Sequence, residues 1–167
     1  MEVPSMFAAA QLIGETVREV IKTASDGGLQ SEATFSATFI LGGQVAGGQP
    51  RMFLIYPEGN FIEATSDNPF FQIGEHKYGK PILVRAYNEN MSFEEATKLM
   101  IVSFDSTLKS NLSVGLPLDM QMYERDTLKR GFEKRFLSDD TYYRTISDGW
   151  SDALRLAFES LPDFQMN

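Results

Sequence analysis

The segment Thr38–Leu83, TFILGGQVAGGQPRMFLIYPEGNFIEATSDNPFFQIGEHKYGKPIL, constrains the fold more tightly than any other part of the chain. Met52–Tyr56 is apolar at every position, and a run apolar on both faces predicts a central strand covered on each side. Pro57-Glu58-Gly59-Asn60 comes next. Proline presets its φ and glycine accepts a positive one, so the chain reverses here and Phe61–Thr65 returns as the partner strand. Upstream, Phe35, Ala37, Phe39 and Leu41 alternate with Thr34, Ser36, Thr38 and Ile40, which predicts a strand over Thr34–Leu41 with one apolar and one mixed face. The pairs Gly42-Gly43 and Gly47-Gly48 bracket the turn between these strands. After Phe70-Phe71-Gln72-Ile73-Gly74 the pattern turns helical over Lys77 to about Tyr87, with Pro81 tolerable only in the first turn.

The flanks read as helices and two further strands. Met6, Ala10, Ile13, Val17, Val20 and Ile21 recur at helical spacing from Ser5 to about Lys22, with Ser5 as N-cap, and Asp26-Gly27-Gly28 supplies the stop. Ser92-Phe93-Glu94-Glu95 is a capping box opening a helix to about Ser110, whose expected buried stripe is Phe93, Ala96, Met100, Ser103, Phe104 and Thr107. Leu118–Glu124 and Phe132–Leu137 read as strands. Asp139 or Asp140 caps a last helix that buries Tyr143, Ile146, Trp150, Ala153, Ala157 and Leu161. The order is helix, three strands, two helices, two strands, helix. This is an α+β chain, and sheets covered outside by helices would satisfy its burial pattern.

Composition narrows the function. A chain of 167 residues, 43% hydrophobic and 12% aromatic, fits one globular domain. A net charge of -8 with scattered Lys and Arg lacks the basic footprint that nucleic acid or anionic lipid requires, so neither is an expected partner. With no cysteine there are no disulfides and no thiolate metal sites, which fits a cytoplasmic location. No apolar run approaches the roughly 20 residues that span a bilayer.

Self-contained chemistry is scarce. The lone His76, in Gly74-Glu75-His76-Lys77, has no placed partner and reads as a surface or structural residue. Ser103, Asp105 and His76 make a triad only on paper, because no nucleophile-elbow motif surrounds any serine. No HExxH, EF-hand loop or phosphate loop is present, so neither a metal nor a cofactor is expected.

The Thr38–Leu83 block, followed by Ser110-Asn111-Leu112-Ser113-Val114-Gly115, resembles Anbu, the bacterial ancestral-beta-subunit relatives of the proteasome and of HslV. The resemblance implies the four-layer α-β-β-α sandwich of the N-terminal-nucleophile hydrolases. It also implies amide hydrolysis by a threonine peptidase inside a self-assembled ring or ring-like stack, with polypeptide substrates. In that family the nucleophile is a threonine on the first strand, supported by a lysine and an aspartate from early strands. This chain opens Met1-Glu2-Val3-Pro4, where the family has a loop between two helices. The expectation is therefore an N-terminally truncated domain, with residues 1–167 as its C-terminal portion and the nucleophile absent. A family Asp-x-x-Ser-Gly segment aligns with Ser110–Gly115: Ser113 matches the serine that orients the threonine amine, and Ser110 stands in the aspartate's place. A Gly-Ser-Gly turn aligns with Gly74-Glu75-His76, so Gly74 matches and Glu75 replaces the serine. The chain alone is expected to be inactive and poorly soluble, because strands missing from mid-sheet leave edges and core residues unpaired. The alternatives are a catalytically silent assembly subunit of the same fold and an unrelated α+β binding domain. Whether an ATP-driven unfoldase feeds the assembly is left open by the sequence.

Overall fold

A computed structural model of the chain describes residues 3–26 and 36–166. These residues form α1 (Met6–Asp26), β1 (Phe39–Gly43), β2 (Arg51–Ile55), β3 (Phe61–Glu63), α2 (Lys80–Ala86), α3 (Phe93–Ser110), β4 (Leu118–Gln121), β5 (Glu133–Phe136) and α4 (Thr141–Glu159). The element order is the one expected from the sequence. The chain divides into two compact units, one holding the described residues up to Gly74 plus Tyr123–Gly131, the other Glu75–Met122 and Phe132 onward.

In the first unit α1 covers an antiparallel sheet ordered β1-β2-β3. The Ser5 hydroxyl accepts the Ala8 N–H at 3.1 Å, the expected cap, and the helix runs four residues beyond Lys22 to Asp26. The proposed Gly27-Gly28 stop, and residues 34 and 35 of the first expected strand, lie outside the described residues. Met6 and Ala10 of α1 pack on Phe53 and Ile55, both fully buried in β2, with Ile13, Leu41, Val45 and Phe61 around them. Phe61 stands edge-on to both Phe7 and Phe53.

Two expectations for this sheet need correction. β2 is central, but Met52 and Leu54 on its second face are only half-buried, so the cover within this unit is one-sided. Gly42 and Gly43 belong to β1, paired with Met52 and Arg51, and the turn proper is Val45–Gly48 with Gly47 at φ 75°. Among the described residues the strand begins at Phe39, which leaves Ser36, Ala37 and Thr38 of the expected range outside it.

The hairpin turn after β2 forms as expected, with Tyr56 N–H bonded to Asn60 O and Gly59 at φ 84°. Gly59 meets Gly14 of α1 backbone to backbone. A Cβ on Gly14 would lie 2.1 Å from Gly59 O, so only glycine lets the helix approach the turn this closely.

The segment Tyr123–Gly131 is pinned to the β1–β2 connection by Gln44. Its amide nitrogen donates to Gly48 O (2.7 Å) and Asp126 Oδ1 (2.5 Å), while its amide oxygen accepts from Tyr123 Oη (2.9 Å) and Asp126 N–H (2.8 Å). The loop holds Asp126 at φ 66° and Leu128 at φ 49°, the left-handed region that side chains other than glycine rarely enter.

In the second unit α2 starts at Lys80, three residues later than expected, because Pro81 must sit in the first turn. Ser92 and Glu95 make the reciprocal capping box (3.2 and 3.0 Å) that opens α3. Its buried face differs from the expected stripe. Ser103 and Thr107 are buried, but Phe93, Met100 and Phe104 are exposed, and Thr97, Leu99, Ile101, Val102 and Asp105 point inward. Strands β4 and β5 pair antiparallel, and Phe136 packs with Ile101 of α3 and Tyr143 of α4. Asp140 caps α4 by accepting the Tyr143 N–H at 2.9 Å. Only the first half of α4 is covered: Tyr143 and Ser147 are buried, whereas Ala153, Ala157 and Leu161 of the expected face are exposed.

A polar link joins α3 to α4. Asp105, 1% exposed, accepts the Tyr143 hydroxyl at 3.0 Å through Oδ1, and its Oδ2 lies 2.9 Å from Lys109 Nζ in an ionic contact. Lys109 also donates to Ser147 Oγ (3.0 Å) and Ser151 Oγ (2.9 Å). Burial, and then the bond to the Asp105 carboxylate, push the Tyr143 phenol up to about 12.

Four stability outcomes are expected in thermal melts of the protein expressed from its own gene. Gly14→Ala lowers stability by about 2 kcal/mol or more through backbone overlap, while Gly149→Ala, at an exposed mid-helix position with open space around it, raises it by about 0.5–1 kcal/mol. Tyr143→Phe costs about 1–3 kcal/mol by removing a hydrogen-bond donor from the buried Asp105. With a folded phenol above its unfolded value of 10.0, the Tyr143 contribution is complete below pH 10 and lost as pH rises toward 12. That alkaline loss, on the order of 2 kcal/mol, is expected to vanish in Tyr143→Phe.

Candidate functional site

The C-terminal end of α3 gathers the polar residues singled out in the sequence. Ser110 is the last helical residue and is exposed. Asn111 caps the helix with its backbone N–H on Thr107 O at 2.9 Å, and the chain then turns, with Val114 N–H on Asn111 O at 3.2 Å. Because an asparagine side chain mimics a backbone turn, Asn111 Oδ1 reaches two residues on and accepts both the Ser113 N–H (2.9 Å) and the Ser113 Oγ–H (2.7 Å). The other end of the same amide, Nδ2, donates to Glu75 Oε2 at 3.0 Å.

Glu75 follows Gly74, whose φ of 78° turns the chain in the left-handed region. Its second oxygen accepts the Lys77 N–H at 3.0 Å. That backbone donor first, with the Lys77 charge and the Asn111 amide adding to it, holds the Glu75 carboxyl below the usual carboxylate range against the opposing effect of burial. Glu75 is therefore an ionised, acceptor-only group at neutral pH. An unbroken chain of hydrogen bonds runs from the Lys77 backbone through Glu75 and Asn111 to an exposed Ser113 hydroxyl.

Of the residues expected at the site, Ser113 is in this network and Gly74 immediately precedes Glu75. Ser110, in the family aspartate's place, is not shown bonded to either, and the polar contacts come from its neighbour Asn111. The sequence reading passed over Asn111, although an asparagine just after a helix, two residues before a serine, is a recognisable turn signature. The paper triad does not assemble: Asp105 is engaged with Tyr143 and Lys109, Ser103 is buried where Gly79 abuts it, and His76 is exposed. A Cβ on Gly79 would lie 2.2 Å from Ser103 Oγ, so that serine serves the close packing of α2 on α3.

Among the described residues no cluster of three metal-ligating side chains occurs, and no helix is long and apolar enough to cross a membrane. A groove of about 330 Å³ between α1 and β1 is lined by Leu12, Ile13, Val17, Val20 and Phe39 and offers almost no polar atom. It can hold an apolar group but carries no chemistry.

The proteasome subunit family matches residues 14–119. Among solved structures, Anbu from Hyphomicrobium sp. strain MC1 is 54% identical with a TM-score of 0.89, the match covering 98% of this chain and 66% of that one. Anbu (ancestral beta-subunit) from Yersinia bercovieri is 46% identical with a TM-score of 0.90, covering 99% and 68%. The helical assembly of the Anbu complex from Pseudomonas aeruginosa is 47% identical with a TM-score of 0.92, covering 98% and 68%. The chain thus spans about two thirds of the length of these solved relatives. No curated protein matches it. The fold is that of the proteasome-type N-terminal-nucleophile hydrolases, and the chain belongs to the proteasome subunit family, in its Anbu branch.

Proposed function

We propose that the complete subunit is a threonine peptidase that cleaves polypeptides within a self-assembled oligomer, and that residues 1–167 are its C-terminal portion, carrying the wall that receives the nucleophile's amine. The observation that carries this reading is the end of α3, where an Anbu-branch chain presents the Ser113 hydroxyl with its proton already committed to Asn111. A threonine that attacks with its hydroxyl and uses its own amine as base needs that amine held by fixed acceptors. Ser113 is such an acceptor. The threonine and its lysine and aspartate partners belong, on this reading, to the third of the relatives' length that has no counterpart in these residues.

Self-assembly is supported by the helical assembly of the Pseudomonas aeruginosa relative. A head-to-tail contact that does not close produces such a filament, and one that closes produces a ring. The exposed apolar residues of α3 and α4, Phe93, Met100, Phe104, Leu154, Leu156 and Phe158, supply surface that assembly or further strands of the same subunit would cover. A cytoplasmic location accords with the cysteine-free composition.

The nucleotide sequence upstream of Met1 tests the reading directly. In-frame codons for a Met-Thr strand and a following lysine are expected. The product that includes them hydrolyses fluorogenic peptides, and the 167 residues alone do not. In that product Ser113→Ala lowers kcat about tenfold, the equivalent of one lost hydrogen bond of about 1.5 kcal/mol. Turnover by the 167 residues alone would refute the reading, and an upstream sequence without the threonine strand would leave the silent assembly subunit in its place.

A further inference from the structure

The positions of Glu75 and Asn111 point to a device that sets the polarity of the Ser113 hydroxyl. A serine hydroxyl can donate or accept, and a bare exposed one does both at random. Here its orientation is dictated from behind. A primary amide such as that of Asn111 fits its place either way round, and only its neighbours decide which end faces where. On one side stands a Glu75 carboxylate that can only accept, kept charged by the Lys77 N–H. The amide nitrogen must face it, at 3.0 Å. The amide oxygen must then face Ser113, where it takes both the backbone and the hydroxyl hydrogens, at 2.9 and 2.7 Å. With its own hydrogen spent, Ser113 Oγ offers only lone pairs outward.

We propose that Glu75, acting through Asn111, is a positioning residue that fixes Ser113 Oγ as an outward-facing acceptor for a primary amine. The inference rests on the peptidase reading for the identity of that amine, the α-amine of the nucleophile. It explains why a carboxylate at position 75 can stand where the resemblance leads one to expect a serine. The charge does not touch the reacting atoms. It decides which end of the Asn111 amide faces Ser113. A neutral glutamine at 75 would present both a donor and an acceptor to Asn111 and so remove the carboxylate's demand for its nitrogen, leaving the Ser113 N–H alone to hold the amide oxygen in place and Ser113 Oγ less firmly an outward acceptor.

The test uses the complete subunit expressed from its own gene, with a fluorogenic peptide as substrate. Glu75→Gln and Asn111→Ala are each expected to lower kcat about tenfold with KM unchanged, because the nucleophile and not the substrate loses its alignment. The double variant is expected to be no worse than the poorer single one, the mark of two residues acting along one path. Glu75→Gln is isosteric and carries the test if Asn111→Ala fails to fold. Full kcat in a folded Glu75→Gln variant overturns the proposal while leaving the peptidase reading intact. A wild-type subunit that carries the threonine strand yet shows no turnover overturns the peptidase reading instead. The device is then read by NMR: Glu75→Gln should shift the Asn111 side-chain amide and the Ser113 amide resonances together, and an unmoved Ser113 amide overturns it.

Discussion

A carboxylate buried to within 1% of its surface is the constraint on which the second unit depends. Leaving Asp105 ionised inside a helix pair would be prohibitive without partners, and partners held by a second helix fix that helix in place. Tyr143 supplies a hydroxyl from the first turn of α4, and Lys109 supplies a charge from one turn further along α3 while reaching two serines of α4. The apolar contacts of Ile101, Phe136 and Tyr143 give adhesion, which is indifferent to small shifts along the helix axes. The Asp105 link is directional and tolerates no such shift. Because Ser110, Asn111 and Ser113 lie at the end of the same helix, the register that Asp105 imposes on α3 is also the register of the candidate site.

The parts of this architecture that could be read in the sequence are those determined by short-range chemistry. The capping box at Ser92 and Glu95, the cap at Asp140 and the reversal at Pro57–Asn60 each depend on residues three or four apart, and each forms as expected. The buried face of α3 could not be read this way. Choosing the apolar stripe Phe93, Met100 and Phe104 assumed that apolar residues are covered, but the inward positions include Thr97, which meets Met120, Asp105, which meets Tyr143, and Ser103 and Thr107, against which Gly79 packs. Those partners lie tens of residues away in sequence. The same holds for α4, where helical periodicity runs on past the point at which anything covers it.

At the site, alignment to a family pattern named Ser113, Gly74 and Ser110, whereas the hydrogen bonds at this end of α3 are made by Asn111, one residue beyond Ser110. A motif specifies positions, whereas hydrogen bonding needs reach and direction. Asn111 has both because it ends the helix in an extended conformation that aims its amide along the following turn. Glu75, 36 residues earlier, meets it only through the fold.

Gln44 has no spare hydrogen-bonding capacity on either end of its amide. Replacing the nitrogen by oxygen, the single-atom change that spontaneous deamidation brings about, would turn two donors into acceptors facing the Gly48 carbonyl and the Asp126 carboxylate. The loop it anchors already keeps Asp126 and Leu128 in an unfavourable backbone region, and Arg125 on Gln49 is a further side-chain tie to the same β1–β2 connection. Chemical ageing at this one amide would therefore loosen the hold on Tyr123 and Asp126 without breaking any bond of the main chain.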